Sequence, residues 1–249
     1  MNSIIKFENL SFKLNNELIL DKISFEIKTG ENISLIGESN TGKILILKLI
    51  SGLIKPTSGE IYIFNKKITK IKENKLFEIQ KEIGLLFQNN ALFDDKTCLE
   101  NITFPLLRRN VTKSEAEKKA KEILKNLNLN DVEDLYPDEI SGGMKKRVAL
   151  ARMIIFKPKL YLFDDPTAGL DPVTSSKIYK IIKNNQNQDN TSIIISQDLE
   201  KIFDLTSRIL ILGNNKIQFD GLRKDFDKIE NEKIRNFLRI WLLRDAVEA

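Results

Sequence analysis

The stretch that most constrains this chain is Gly37-Glu-Ser-Asn-Thr-Gly-Lys-Ile44. Two glycines let the backbone curl so that its N–H groups point inward, and the lysine that follows can reach a bound phosphate. The loop directly follows Asn32-Ile-Ser-Leu-Ile36, which reads as a short buried strand. It directly precedes Lys43–Leu53, which has helical length and apolar content. Strand, glycine loop and helix is the order a phosphate-cradling P-loop requires, because the helix N-terminus adds its positive field. After the lysine that motif calls for Ser or Thr, whose hydroxyl ligates Mg²⁺. Ile44 stands there and has no oxygen to offer. A second buried strand, Lys159-Leu-Tyr-Leu-Phe163, ends in Asp164-Asp165. Asp164 stands where a P-loop protein keeps a carboxylate on the metal side. Asp165 follows where a base could orient an attacking water.

Several chemistries are excluded outright. The 249 residues contain no histidine, which removes Ser-His-Asp catalysis and every histidine metal ligand. The single cysteine, Cys98, rules out an internal disulfide framework and reads as an inert packing residue. Hydrophobic residues at 41% and charged residues at 30% describe an ordinary folded chain. The net charge of +5 is spread along the sequence, and Lys145-Lys146-Arg147 reads as a solvated helix face, so no nucleic-acid partner is expected. No apolar run reaches the 18 or so residues of a membrane span, and charges occupy the N-terminal stretch where a signal peptide needs an apolar one. A cytoplasmic protein is expected.

Along the chain, Ile4–Leu10 and Leu18–Ile27 read as strands joined by the Asn15-Asn16 turn, followed later by strands at Ser58–Phe64 and Ile83–Gln88. Ser114–Leu127 turns helical, with Ser114 as its cap, and Met144–Ile155 forms a further helix. Ser175–Asn184 is a helix, Ser192–Ser196 a strand, and Arg208–Leu212 with Lys216–Phe219 a hairpin. Strands alternating with helices predict an α/β core with a mainly parallel sheet. A helical stretch near 90–155 interrupts it.

Ser141-Gly-Gly-Met-Lys-Lys-Arg-Val-Ala-Leu-Ala-Arg152, then Leu-Phe-Asp-Asp-Pro-Thr-Ala-Gly-Leu-Asp171, resembles an ATP-binding cassette (ABC) subunit, in the expected order after the P-loop. The likeness covers roughly residues 3–225. It implies an α/β, P-loop (RecA-like) ABC ATPase core with an antiparallel β subdomain and an inserted helical subdomain. The implied division is 1–90 and 156–225 for the nucleotide-binding core, 91–155 for the helical part with the signature, and 226–249 for a helical tail carrying Trp241. In such cassettes two subunits sandwich two ATP molecules. By that resemblance Gly37, Glu38, Ser39, Asn40, Thr41, Gly42, Lys43 and Ile44 line the phosphates. Ser141, Gly142 and Gly143 meet the nucleotide on the partner, and Asp171 belongs to the dimer-side loop. Asp164 and Gln88 serve Mg²⁺, with Gln88, Asp165 and Gln197 in the catalytic set.

The run Phe87-Gln-Asn-Asn-Ala-Leu-Phe-Asp-Asp95, with Glu100-Asn101, Phe104-Pro105 and Met144–Arg147, looks like the Mla/Mkl-type phospholipid-trafficking branch. That likeness implies membrane permease subunits, a homodimer of cassettes, a lipid-binding partner protein, and a place on the cytoplasmic face of the inner membrane. Four positions depart from the family. Ile44 lacks the metal hydroxyl. Asp165 replaces the catalytic glutamate and is shorter by one methylene, roughly 1.5 Å of chain. Gln197 stands where the switch histidine is expected, and the adenine-stacking aromatic falls near Leu14, with Phe12 the nearest ring. Two readings stay open: a slow transport ATPase, or a nucleotide-gated binding subunit with little turnover.

Overall fold

The computed structural model describes residues 2–222, together with 224, 225, 232 and 235. Of the expected tail, 226–249, all but 232 and 235 lies outside the described residues, Trp241 included.

The chain opens with two long strands, β1 (Ser3–Leu14) and β2 (Glu17–Lys28), paired antiparallel. Asn15 and Asn16 turn the corner at φ 48° and 67°, the left-handed pair that a two-residue hairpin needs and that asparagine tolerates. β4 (Ser58–Ile63) and the two-residue β5 (Lys66–Lys67) complete a four-stranded sheet in the order β2-β1-β4-β5. Gly59 makes the β1–β4 contact possible. It sits at φ +82°, and a Cβ there would lie 2.4 Å from the Asn9 carbonyl oxygen.

The second sheet runs β10-β9-β3-β8-β7-β6. Its strands are β3 (Asn32–Ile36), β6 (Ile83–Leu86), β7 (Leu160–Asp164), β8 (Thr191–Ile195), β9 (Arg208–Gly213) and β10 (Lys216–Leu222). All pairings are parallel except the β9–β10 hairpin, as the alternating pattern predicts. The parallel strands are mostly apolar because both faces are covered, whereas the edge strand β10 is polar and partly exposed. One face packs Ile33, Leu35, Leu162 and Ile193 with α1 (Lys43–Ile50) against the antiparallel sheet. The other packs Ile36, Phe163, Ile194 and Ile211 under α5 (Gly142–Ile154), α6 (Pro172–Asn185) and α7 (Leu199–Phe203). The β9–β10 turn ties the sheets together, since Asn215 donates through Nδ2 to the Leu18 carbonyl and accepts from the Asp21 amide.

The helices α3 (Cys98–Leu107), α4 (Lys113–Asn126) and α5 bury a third apolar cluster of their own. The cap of α4 is Thr112, not Ser114: the Thr112 hydroxyl accepts from the Glu115 amide, so the cap sits two residues earlier than the sequence suggested. The short α2 (Glu73–Gln80) was not foreseen, because Ile79 is its only buried residue and no apolar stripe marks it.

The basic run is also corrected. Lys146 is only 2% exposed, and its Nζ donates to the Gln88 carbonyl at 2.7 Å. Arg147 donates to the carbonyls of Leu127 and Asn128, both at 3.0 Å. The reason is that α5 is wedged between β6 and α3, so little of its circumference is left for water. A solvated face holds only in part at Lys145.

Candidate nucleotide-binding site

The carboxyl ends of β3, β7 and β8 meet at one cleft of about 390 Å³. Ligands of open α/β sheets bind in that position, where loops leaving the strands form a crevice. The 37–44 loop supplies one wall and lines the cleft at every position except Thr41, whose hydroxyl donates to the Glu38 carbonyl at 2.9 Å. Gly42 caps α1 at φ +96°, with its carbonyl accepting from Leu45 and Ile46. At Gly37 a Cβ would come 2.3 Å from the Leu212 carbonyl oxygen, so the loop is drawn flush against β9 and a side chain would push it off. This curled backbone fits a phosphate chain.

Lys43 curls over its own loop, donating to the carbonyls of Gly37 at 2.7 Å and Glu38 at 2.6 Å. Burial lowers its pKa, while Asp164, Asp165 and Glu38 oppose that shift. The ammonium therefore shares the cleft with two carboxylates.

Asp164 and Asp165 form the floor, and Gln88 and Gln197 project from the sides. Burial raises the pKa of Asp164, opposed by a hydrogen bond from the Gln88 amide and by the Lys146, Lys48 and Lys43 charges. Asp165 is raised by burial and by Asp164 beside it. It sits at φ 44°, an uncommon conformation for a residue with a side chain, and is pinned there by its amide donating to the Ile195 carbonyl at 2.9 Å. For Mg²⁺ the cleft offers the Asp164 carboxylate and the Gln88 amide oxygen, with Ile44 contributing none. Among the described residues no three carboxylates or thiols converge as a protein-only metal cage. Such a set fits an ion that keeps several waters and takes further oxygens from phosphate.

Besides Thr41, four of the sequence-expected residues do not line this cleft. Ser141 caps α5, accepting from the Met144 amide at 3.3 Å, and Gly142 has nothing within 4 Å of where its Cβ would be. Gly143 packs close to Thr174. Asp171 caps α6 by accepting from the Thr174 amide at 2.9 Å, and hydrogen bonding from the Thr174 hydroxyl first, then its amide, holds the carboxyl below the usual range. The signature thus presents an open helix start that lies outside the cleft lined by its own chain's phosphate loop. For the base, Phe12 is 9% exposed within the core and shows no free ring face, while Leu14 is half exposed at the end of β1.

Sequence reasoning missed the residues behind the carboxylates. Lys146 comes from α5, and Ser196 donates to Asp165 from the end of β8. No periodicity marks a buried ammonium or hydroxyl; only the tertiary packing of α5 and α6 puts them there.

The family model for ABC transporters matches residues 20–168. The chain belongs to the ABC transporter family. It is 32% identical to the intermembrane phospholipid transport system ATP-binding protein MlaF of Haemophilus influenzae, over 95% of this chain and 90% of that one. It is 36% identical to the methionine import ATP-binding protein MetN of Carboxydothermus hydrogenoformans over 83% of this chain, but spans only 61% of that relative's length. Among solved structures, a dimeric post-hydrolysis ATP-binding cassette bound to ADP and phosphate superimposes with a TM-score of 0.80 at 32% identity, covering 88% of this chain and 98% of its own. The two-sheet ABC ATPase fold expected from the sequence is therefore present. No helix among the described residues is long and apolar enough to cross a membrane.

Proposed function

We infer that this chain is the ATP-binding subunit of a membrane transporter, working as a pair of copies beneath permease subunits and hydrolysing ATP slowly. The observation that carries this is the meeting of the 37–44 loop, Gln88, Asp164, Asp165 and Gln197 in one cleft, while the helix start at Ser141–Gly143 lies outside that cleft and is open at Gly142. Loop amides and Lys43 would hold the phosphates of ATP. Asp164 and Gln88 would hold Mg²⁺, which supplies charge neutralisation when bound. Asp165 orients the attacking water, and Gln197 can donate to the γ-phosphate but cannot carry an imidazole's proton. A second copy would bring Ser141–Gly143 onto the same nucleotide, with Asp171 holding the dimer-side loop. Residues 1–90 and 156–225 then form the nucleotide-binding core, 91–155 the signature-bearing part, and 226–249 a tail.

The transported class we favour is phospholipid. Support comes from the phospholipid-transport relative, which this chain matches over 90% of its length, together with the Phe87–Asp95 and Met144–Arg147 runs. In this reading the protein sits at the cytoplasmic face of the inner membrane, held by the permease, with a lipid-binding protein in the same system and no nucleic-acid partner. A second reading, a nucleotide-gated subunit with little turnover, is favoured by Ile44 and Gln197 specifically. The test is to purify the tagged chain from membranes with its multi-span partner and measure ATP turnover with phospholipid or with methionine. Phospholipid-responsive turnover supports the reading. A response to methionine alone overturns the substrate class, and a chain recovered without any membrane protein overturns the transporter role.

A further inference from the structure

Behind Asp165 lies a row of hydroxyls that begins at Ser196, on the cleft wall, and runs on to Tyr179 and Thr167, which do not line it. Ser196 Oγ donates to Asp165 Oδ1 at 3.5 Å, Tyr179 Oη lies 3.0 Å from Ser196 Oγ, and Thr167 Oγ1 lies 2.9 Å from Tyr179 Oη. All three hydroxyl residues are more than nine-tenths buried: Tyr179 is 5% exposed, Ser196 7% and Thr167 8%. With Ser196 donating to Asp165, the directions of the other bonds follow. An ionised carboxylate only accepts, so the single Ser196 proton points at Asp165. Ser196 Oγ already accepts from the Asp198 amide at 3.1 Å, and its remaining lone pair takes the Tyr179 proton. Tyr179 must then accept from Thr167. Every proton in the row points toward the carboxylate, and hydrogen bonds aligned in this way polarise one another in a buried site.

The row joins three segments that frame the cleft: Thr167 follows the Asp164-Asp165 pair, Tyr179 lies in mid-α6, and Ser196 immediately precedes Gln197. We propose that Tyr179 is a positioning residue that acts through Ser196 to hold the short Asp165 carboxylate, and the neighbouring Gln197, in the orientation that hydrolysis needs. The chemical sense is reach. An aspartate that is one methylene short cannot find its working position by flexing, so it depends on an external brace, and a displacement of about 1 Å at such a group can cost about 100-fold in rate. A glutamate would have the length to do without one.

The inference rests on Asp165 being the water-orienting group, and the experiment separates the two claims. ATP turnover by the full chain is measured for the parent, Tyr179→Phe, Ser196→Ala, Asp165→Asn, Asp165→Glu and the Asp165→Glu/Tyr179→Phe pair, with thermal unfolding and the KM for ATP recorded for each. Tyr179→Phe removes one oxygen and keeps the ring. We expect it to lower kcat about ten-fold with KM unchanged, Ser196→Ala to do the same, and the Tyr179→Phe loss to shrink below about three-fold in the Asp165→Glu background. A hydroxyl that merely supports the fold would cost the same in both backgrounds, and that result overturns the brace. So does an unchanged kcat in Tyr179→Phe when Asp165→Asn abolishes turnover. If Asp165→Asn leaves turnover intact, the role assigned to Asp165 fails and the inference falls with it.

Discussion

Gly142→Ala separates stability from function at the signature. Gly142 is the first residue of α5, and nothing lies within 4 Å of the position its Cβ would take. Alanine there meets no neighbour and narrows the unfolded ensemble, a gain of about 0.4–1 kcal/mol. For a chain of this size that corresponds to a melting temperature about 1–4 °C higher. The same methyl group projects into the open space in front of the helix N-terminus. A partner's phosphate approaching these amides would be held off beyond hydrogen-bonding distance. Each charge-assisted bond lost costs about 1.5–3 kcal/mol, or about ten- to 150-fold in affinity. We therefore expect a variant that melts no lower than the parent and binds ATP as a single chain with unchanged affinity. Its ATP-dependent pairing should weaken at least about ten-fold, and turnover should fall with it. The assays are thermal unfolding, fluorescent-ATP titration, sedimentation with and without ATP, and phosphate release. A lower melting temperature would mean that the space at Gly142 is not open as described. Undiminished turnover would refute the idea that this helix start meets a nucleotide.

Lys146→Met removes a buried ammonium from between the Gln88 carbonyl and the two carboxylates. Lys146 lowers the pKa of both Asp164 and Asp165, which burial has already raised, so its loss raises them further. A carboxyl whose folded pKa lies above its unfolded value costs stability above that folded pKa and costs nothing below the unfolded one. The variant should lose about 2 kcal/mol near neutral pH, and part of that deficit should vanish as the pH falls to about 4. Urea unfolding at the two pH values checks this, and equal deficits would show that the ammonium does not act on the carboxylates. Cys98 is fully buried, and burial with the Glu139 and Glu133 charges pushes its thiol up to about 11. At pH 8 about one thiol in a thousand is ionised, so disulfide-exchange reagents should label the chain only once it is unfolded. Rapid labelling of the native protein would contradict the burial.

Much of the fold was legible because parallel strands buried on both faces read as unbroken apolar runs: Asn32–Ile36, Leu160–Asp164 and Thr191–Ile195 appear in the structure within a residue or two of expectation. The Asn15-Asn16 and Asn214-Asn215 turns were equally plain, since both pairs adopt the left-handed conformation that asparagine tolerates. Helix α2 and strand β5 were not legible, one lacking an apolar stripe and the other being two residues long. At the site, the cleft-lining residues were readable as motifs because backbone geometry and phosphate chemistry demand glycine, lysine and carboxylate at fixed spacing. Lys146, Tyr179, Ser196 and Thr167 were not. They converge from segments far apart in sequence, and a lysine in a basic run gives no sign that its helix is enclosed on nearly all sides.

The most direct measurement is ATP binding and phosphate release by the purified chain with Mg²⁺, beside a variant carrying Ile44→Ser, Asp165→Glu and Gln197→His together. The account predicts that the parent binds ATP and releases phosphate slowly, and that the variant turns over at least about ten-fold faster, because a metal ligand, a methylene and an imidazole are restored around one phosphate. A parent that binds no ATP, or one that already turns over as fast as the variant, would contradict it.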